Sequence, residues 1–150
     1  MKIINFIICD DIRSEIGNKK SLMGIYTKTL SFSVNADEKD NWPKELSLGM
    51  MLEFSISQKI KRAAHKFKVF YSINSVEKVL GEGEFNFPRD DQEQEDDFKI
   101  TLFSKSKYHF ESCGNLKHCV KIFDISGKVI ARAIPDSEFV IRENIIESKI

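Results

Sequence analysis

Apolar and polar residues along this chain alternate with a period of two far more clearly than with any helical period. In the clearest run, 46–56, Leu46, Leu48, Met50, Leu52, Phe54 and Ile56 occupy one phase. Ser47, Gly49, Glu53 and Ser55 occupy most of the other. Side chains of an extended strand point to alternate faces, so such a run offers one face to a core and one to water. Phe67, Val69, Tyr71 and Ile73 repeat the pattern opposite Lys66, Lys68 and Ser72, and Phe98, Ile100 and Leu102 repeat it again. Segment 3–8 is apolar on both phases and predicts an interior strand. Further strands are predicted at 22–34, 82–87, 108–113, 117–124, 128–134 and 138–141. Helical periodicity is weak: 57–64 predicts a single turn, and 142–150 a short helix or a frayed end.

Turn residues punctuate these runs. Ser126-Gly127 predicts a hairpin turn, and Gly17-Asn18 a loop after the first strand. Gly24 inside a strand pattern predicts a bulge or a close backbone approach. Trp42-Pro43 and Phe87-Pro88 predict strand ends, because proline donates no ladder hydrogen bond. About nine short strands with turns between them make an all-β fold, an antiparallel two-sheet β-sandwich of Ig-like or C2-like type with little helix. Without an internal repeat or linker, residues 1–150 read as one domain.

Composition adds bounds. A chain of 150 residues, 41% hydrophobic with twelve Phe, is able to bury a core without staples. Its 23 basic and 23 acidic residues cancel, which argues against a dedicated nucleic-acid binder and against general attraction to anionic membranes. No apolar run approaches the length of a membrane span. The apolar N-terminal stretch is short, is interrupted by Asn5, and leads into Cys9-Asp10-Asp11 instead of a small-residue cleavage site. A strand is therefore expected there in place of a signal peptide, and the cytoplasm is the expected compartment. Three cysteines (Cys9, Cys113, Cys119) with no metal-finger spacing suit reduced thiols in that compartment.

The distinctive segment is 9–26, in which Cys9-Asp10-Asp11-Ile12-Arg13 precedes a polar loop and then Leu22-Met23-Gly24-Ile25-Tyr26. It resembles the opening of a family of small uncharacterised bacterial proteins known as a domain of unknown function. There a hydrophobic strand ends in a Cys-Asp-Asp-like step before a Leu-x-Gly-x-Tyr strand. The resemblance implies a bacterial or phage origin and a small β-sandwich. It carries no activity, and it fades into generic strand pattern after about thirty residues.

Strict alternation of strand direction would bring three loops to one end: 10–21, 58–65 and 88–97. The second is basic, with Lys59, Lys61 and Arg62. The third is acidic, with Asp90, Asp91, Glu93, Glu95, Asp96 and Asp97. Opposite charges at one end would pair within a molecule, join two copies, or steer a charged partner. They would equally serve as solvated loops that keep the chain soluble. Asp10, Asp11, Arg13 and Glu15 would hold a small ligand or a divalent metal, or act as acid and base. The plainer reading is an Asx turn with an Arg13–carboxylate pair. Calcium finds no spaced Asp-x-Asp pattern with a glycine turn in 90–97. His118 and Cys119 are neighbours on a predicted strand and face opposite ways, which opposes a nucleophile–base pair. The stretch 59–68 with Phe67, Phe70 and Tyr71 has the residue types of a single-stranded nucleic-acid surface, but alternation turns Phe67 and Tyr71 toward the core.

No Gly-rich phosphate loop, nucleophile elbow, His-Glu-x-x-His helix or dinucleotide fingerprint is present. A non-enzymatic protein-binding or assembly module without a cofactor is therefore expected. Its partner would be another protein or a second copy, with neither nucleic acid nor membrane. The alternative is a ligand or metal site at 10–15, with or without catalysis.

Overall fold

A computed structural model describes residues 1–87 and 97–146. The elements in order are β1 (Lys2–Ser14), β2 (Lys20–Tyr26), β3 (Thr29–Val34), β4 (Lys44–Ile56), α1 (Gln58–Ala63), β5 (Lys66–Ile73), β6 (Val76–Glu84), β7 (Phe98–Phe110), β8 (Gly114–Phe123), β9 (Val129–Ala133) and β10 (Phe139–Ile145). Strands β2-β1-β4-β7 form one sheet and β3-β10-β8-β5-β6 the other, with β9 also beside β8. The fold is an all-β two-sheet sandwich. All pairings are antiparallel except that of β3 with β10. Among the described residues, no helix is long and apolar enough to cross a membrane.

The period-two runs form the core. Leu48, Leu52, Phe54 and Ile56 of β4 are fully buried against Tyr108 and Phe110 of β7, Val69 and Tyr71 of β5, and Leu116, Val120 and Ile122 of β8. Each such side chain contributes about 1.5–3 kcal/mol on leaving water. Ser57 caps α1 by accepting a hydrogen bond from the Ile60 N–H at 3.4 Å. The 124–128 turn forms as its residues predict. Asp124 accepts from the backbone N–H groups of Ser126 and Lys128 at 2.9 and 3.0 Å, and Gly127 takes a φ of +85°.

Five expectations need correction. Segment 82–87 holds only the end of a longer strand, β6, which starts at Val76 and stops at Glu84. Segment 22–34 is two strands in different sheets; the apolar phase continues on either side of the break, and only Lys28, a charge on that phase, marks it. Segments 98–102 and 108–113 belong largely to one strand, β7, because Ser104 and Ser106 continue its inward phase with small polar side chains. Segment 142–150 is not a helix as far as it is described: β10 runs to Ile145 because β3 pairs beside it. The three loops also fail to share one end. Lys2 of β1 lies opposite Ser55 of β4, and Cys9 opposite Gly49. The end of β4 that leads into α1 therefore sits beside the start of β1, and the 15–19 turn lies at the other end. Splitting 22–34 adds one chain reversal, and that reversal moves α1 across the sandwich.

Candidate functional site

Asp10, Asp11 and Arg13 lie within β1 and not in a loop, because β2 pairs along it from Ile8 to Ser14. Asp10 stands opposite Gly24, whose φ is +65°. A Cβ at Gly24 would come within 2.1 Å of the Asp10 Oδ2, so glycine there makes room for the carboxylate. Asp10 accepts a hydrogen bond from the Tyr26 hydroxyl. Burial, and then the hydrogen bond to Asp10 and its charge, push the Tyr26 phenol up to about 12. Asp11 points to the solvent face of the sheet. There it accepts from Lys105 Nζ at 2.8 Å and lies 3.6 Å from Arg13 Nε. The Lys105 hydrogen bond, followed by its charge, holds the Asp11 carboxyl below its ordinary range. Glu15 is exposed in the turn, where its backbone N–H donates to the Lys19 carbonyl at 2.9 Å. The two aspartates thus face opposite sides with different partners and do not converge. Among the described residues, no group of three or more His, Cys, Asp or Glu is arranged to hold a metal ion.

Lys59, Lys61 and Arg62 sit on α1. Lys61 is turned inward, its ammonium 4.6 Å from the Phe98 ring centre and 5.6 Å from that of Phe87. Asp97 precedes β7 at the same end, since Phe98 pairs with Ile56. Asp90, Asp91, Glu95 and Asp96, with Glu93, lie outside the described residues. The cations of β5 and β8 are also engaged: Lys68 pairs with Glu82 and Lys121 with Glu77, both at 2.9 Å, and Lys121 covers Phe70 at 4.3 Å. The solvent face of this sheet is a charge-paired lattice.

His118 and Cys119 face opposite sides of β8. His118 is buried among Phe6, Tyr108 and Phe139, with its Nε2 3.0 Å from the Tyr108 hydroxyl. Cys119 accepts from Arg132 Nε at 3.2 Å on the other face. All three cysteines are free, and burial raises the Cys9 thiol pKa.

The solvent face of the β2-β1-β4-β7 sheet is different in character, and the alternation rule passed over it. Ile7 pairs with Met51 and Met51 with Phe103, so three large apolar side chains stand in one row across β1, β4 and β7. Phe103 is 40% exposed; on β2, Ile25 at 55% stands opposite Cys9, one outward position along from Ile7, and exposed Met23 stands opposite Asp11. The available signals were small. Met51 breaks the polar phase of β4, and Phe103 adjoins the inward Leu102. Charge flanks the row: β7 carries Lys99, Lys105 and Lys107 on this phase, and β4 carries Glu45 and Glu53. When the chain is compared with known protein families and with curated proteins, no family model and no curated protein matches it.

Proposed function

We propose that this chain is a non-enzymatic binding module that assembles with a second copy of itself through the solvent face of the β2-β1-β4-β7 sheet. The observation that carries the reading is the Ile7–Met51–Phe103 row, extended by Met23 and Ile25. Large side chains gathered on a sheet's water face mark an interaction site, whereas scattered ones do not. The size is also adequate. Strands of 13, 7, 13 and 13 residues present a face of roughly 700 Å², near the ~800 Å² per partner of a standard interface. Around the row the charges are already paired within the chain, Lys107 with Glu45 and Lys105 with Asp11, so they form a polar rim to an apolar patch that an isologous contact would cover with its own copy.

The alternative, a ligand or metal at Asp10, Asp11, Arg13 and Glu15, has less support, because Tyr26 and Lys105 already engage the two aspartates. The free cysteines and the resemblance of segment 9–26 favour a bacterial cytoplasmic setting for the module.

Sedimentation velocity tests the reading. The wild type is expected to associate with rising concentration, and Phe103→Glu and Met51→Lys to remain monomeric while keeping the wild-type circular dichroism. A wild-type chain that stays monomeric at every concentration, or variants that associate equally well, would overturn it.

A further inference from the structure

β1 is only half flanked. β4 accompanies it from Lys2 to Cys9, but β2 reaches only from Ser14 back to Ile8. Among the described residues, no strand lies beside 2–7 on the β2 side, and no backbone hydrogen bond outside the strand ladders involves these residues. An unpaired edge of this kind presents N–H and C=O groups as a template for another strand, here with a bulge between Ile3 and Asn5 that a pairing segment has to follow. Segment 132–137, which leads from β9 to β10, faces it. Between them runs an open groove of about 520 Å³, lined on one wall by residues 1–6 and on the other by 132–137. The N-terminal residues of the groove, 1–6, come just before those that β2 covers, Ile8–Ser14. Six bare residues span ~20 Å, the length of an ordinary strand.

We infer that this groove takes an extended segment of another polypeptide, which completes the interrupted row of β2 by pairing with residues 2–7 of β1. The proposal deepens the binding-module reading: it names a second contact, and the partner class that contact fits. Backbone pairing would supply most of the affinity, and alternate side chains the selectivity. Exposed Ile4 and Ile134 on the two walls favour apolar residues at alternate positions. Lys2 on one wall favours an acidic residue among the others, and Asp136 on the other wall disfavours a run of them. The facing 132–137 wall leaves a groove of about 520 Å³, which suits a single extended segment better than the edge of a second sandwich.

The test uses the full chain carrying Phe103→Glu, so that assembly through the sheet face does not interfere. A phage-displayed library of random eight-residue peptides is selected against it. The best peptides are then synthesised with N-methyl groups on alternate amides of one edge or of the other. Selected peptides are expected to alternate apolar residues and to slow amide hydrogen exchange at 2–7. Methylation of one edge should weaken binding roughly tenfold or more, and methylation of the other should not. No enrichment over a bare support overturns the proposal. So does equal binding of both methylated forms, or protection confined to residues elsewhere. Protection of 2–7 by self-association, without peptide, would give the edge to a second copy and also overturns it. None of these outcomes touches the sheet-face reading, which the wild-type sedimentation experiment decides separately.

Discussion

Lowering the pH from 7 to 5 should weaken this fold through one side chain, His118. Its ring is 2% exposed, and the Phe6 ring centre lies 4.7 Å away. Its polar neighbour is the Tyr108 hydroxyl at 3.0 Å, and Nδ1 has no hydrogen-bond partner among the described residues. Burial disfavours the charged ring and lowers its pKa from 6.5 to about 3. The unfolded chain therefore takes up a proton near pH 6.5, whereas the folded chain stays neutral down to about pH 3. Unfolding gains a proton throughout that window, so stability falls as the pH drops and stops falling on this account below the lower value. Each pH unit inside the window is worth about 1.36 kcal/mol, which gives about 2 kcal/mol between pH 7 and pH 5. Against a total of about 5–15 kcal/mol, that loss is easily read.

The useful perturbation is double. His118→Leu alone strands the buried Tyr108 hydroxyl and costs about 1–3 kcal/mol at any pH, whereas adding Tyr108→Phe removes both polar partners together. Urea midpoints at pH 7 and pH 5 then compare wild type with the double variant. The exposed carboxylates are common to both chains and cancel in the difference. The wild type should lose about 2 kcal/mol more than the double variant. Equal losses, or an imidazole signal of His118 that titrates between pH 5 and 7 in the folded state, would refute the reasoning.

Gly24→Ala should destabilise the fold by about 1–3 kcal/mol, from the left-handed backbone and from the carboxylate in the way; adding Asp10→Ala should restore part of the loss, and a silent Gly24→Ala in urea unfolding would deny the close approach. Lys105→Met should let the Asp11 carboxyl titrate closer to its ordinary range, because the hydrogen bond that lowers it is gone; an unchanged carbon-13 titration of Asp11 would assign the shift to another neighbour.

Much of the fold is legible in the chain because burial imposes its period directly. The inward residues of β4, β5 and β8 follow strict alternation, and a slip of one position would turn every one of them to water. Legibility fails where the signal rests on one residue. Lys28 alone marks the break between β2 and β3, since Tyr26 and Leu30 keep a common phase across it. Ser104 and Ser106 hide the continuity of β7, because small polar residues on an inward phase read as a gap. Parallel pairing of β3 with β10 is set by packing between distant segments, and no local pattern encodes it.

The site followed from the topology and inherited its error. Reading 22–34 as one strand placed the basic 58–65 segment beside 10–21, whereas the two strands actually formed put these segments at opposite ends. Charges that looked available in the sequence are occupied in space: Lys61 by aromatic rings, Lys68 and Lys121 by glutamates, Asp11 by Lys105. Sequence counts charges, but availability depends on which side chains the sheets and α1 bring within reach of one another. Apolar residues on a water face follow the opposite logic. Ile7, Met51 and Phe103 are separated by dozens of residues and look like isolated lapses in alternation, until register sets them in one row. A lone lapse of this kind needs no explanation, but three in direct cross-strand contact, flanked by Met23 and Ile25, concentrate a cost that a monomer would bear for nothing. That concentration is the reason to test the sheet face for self-association first.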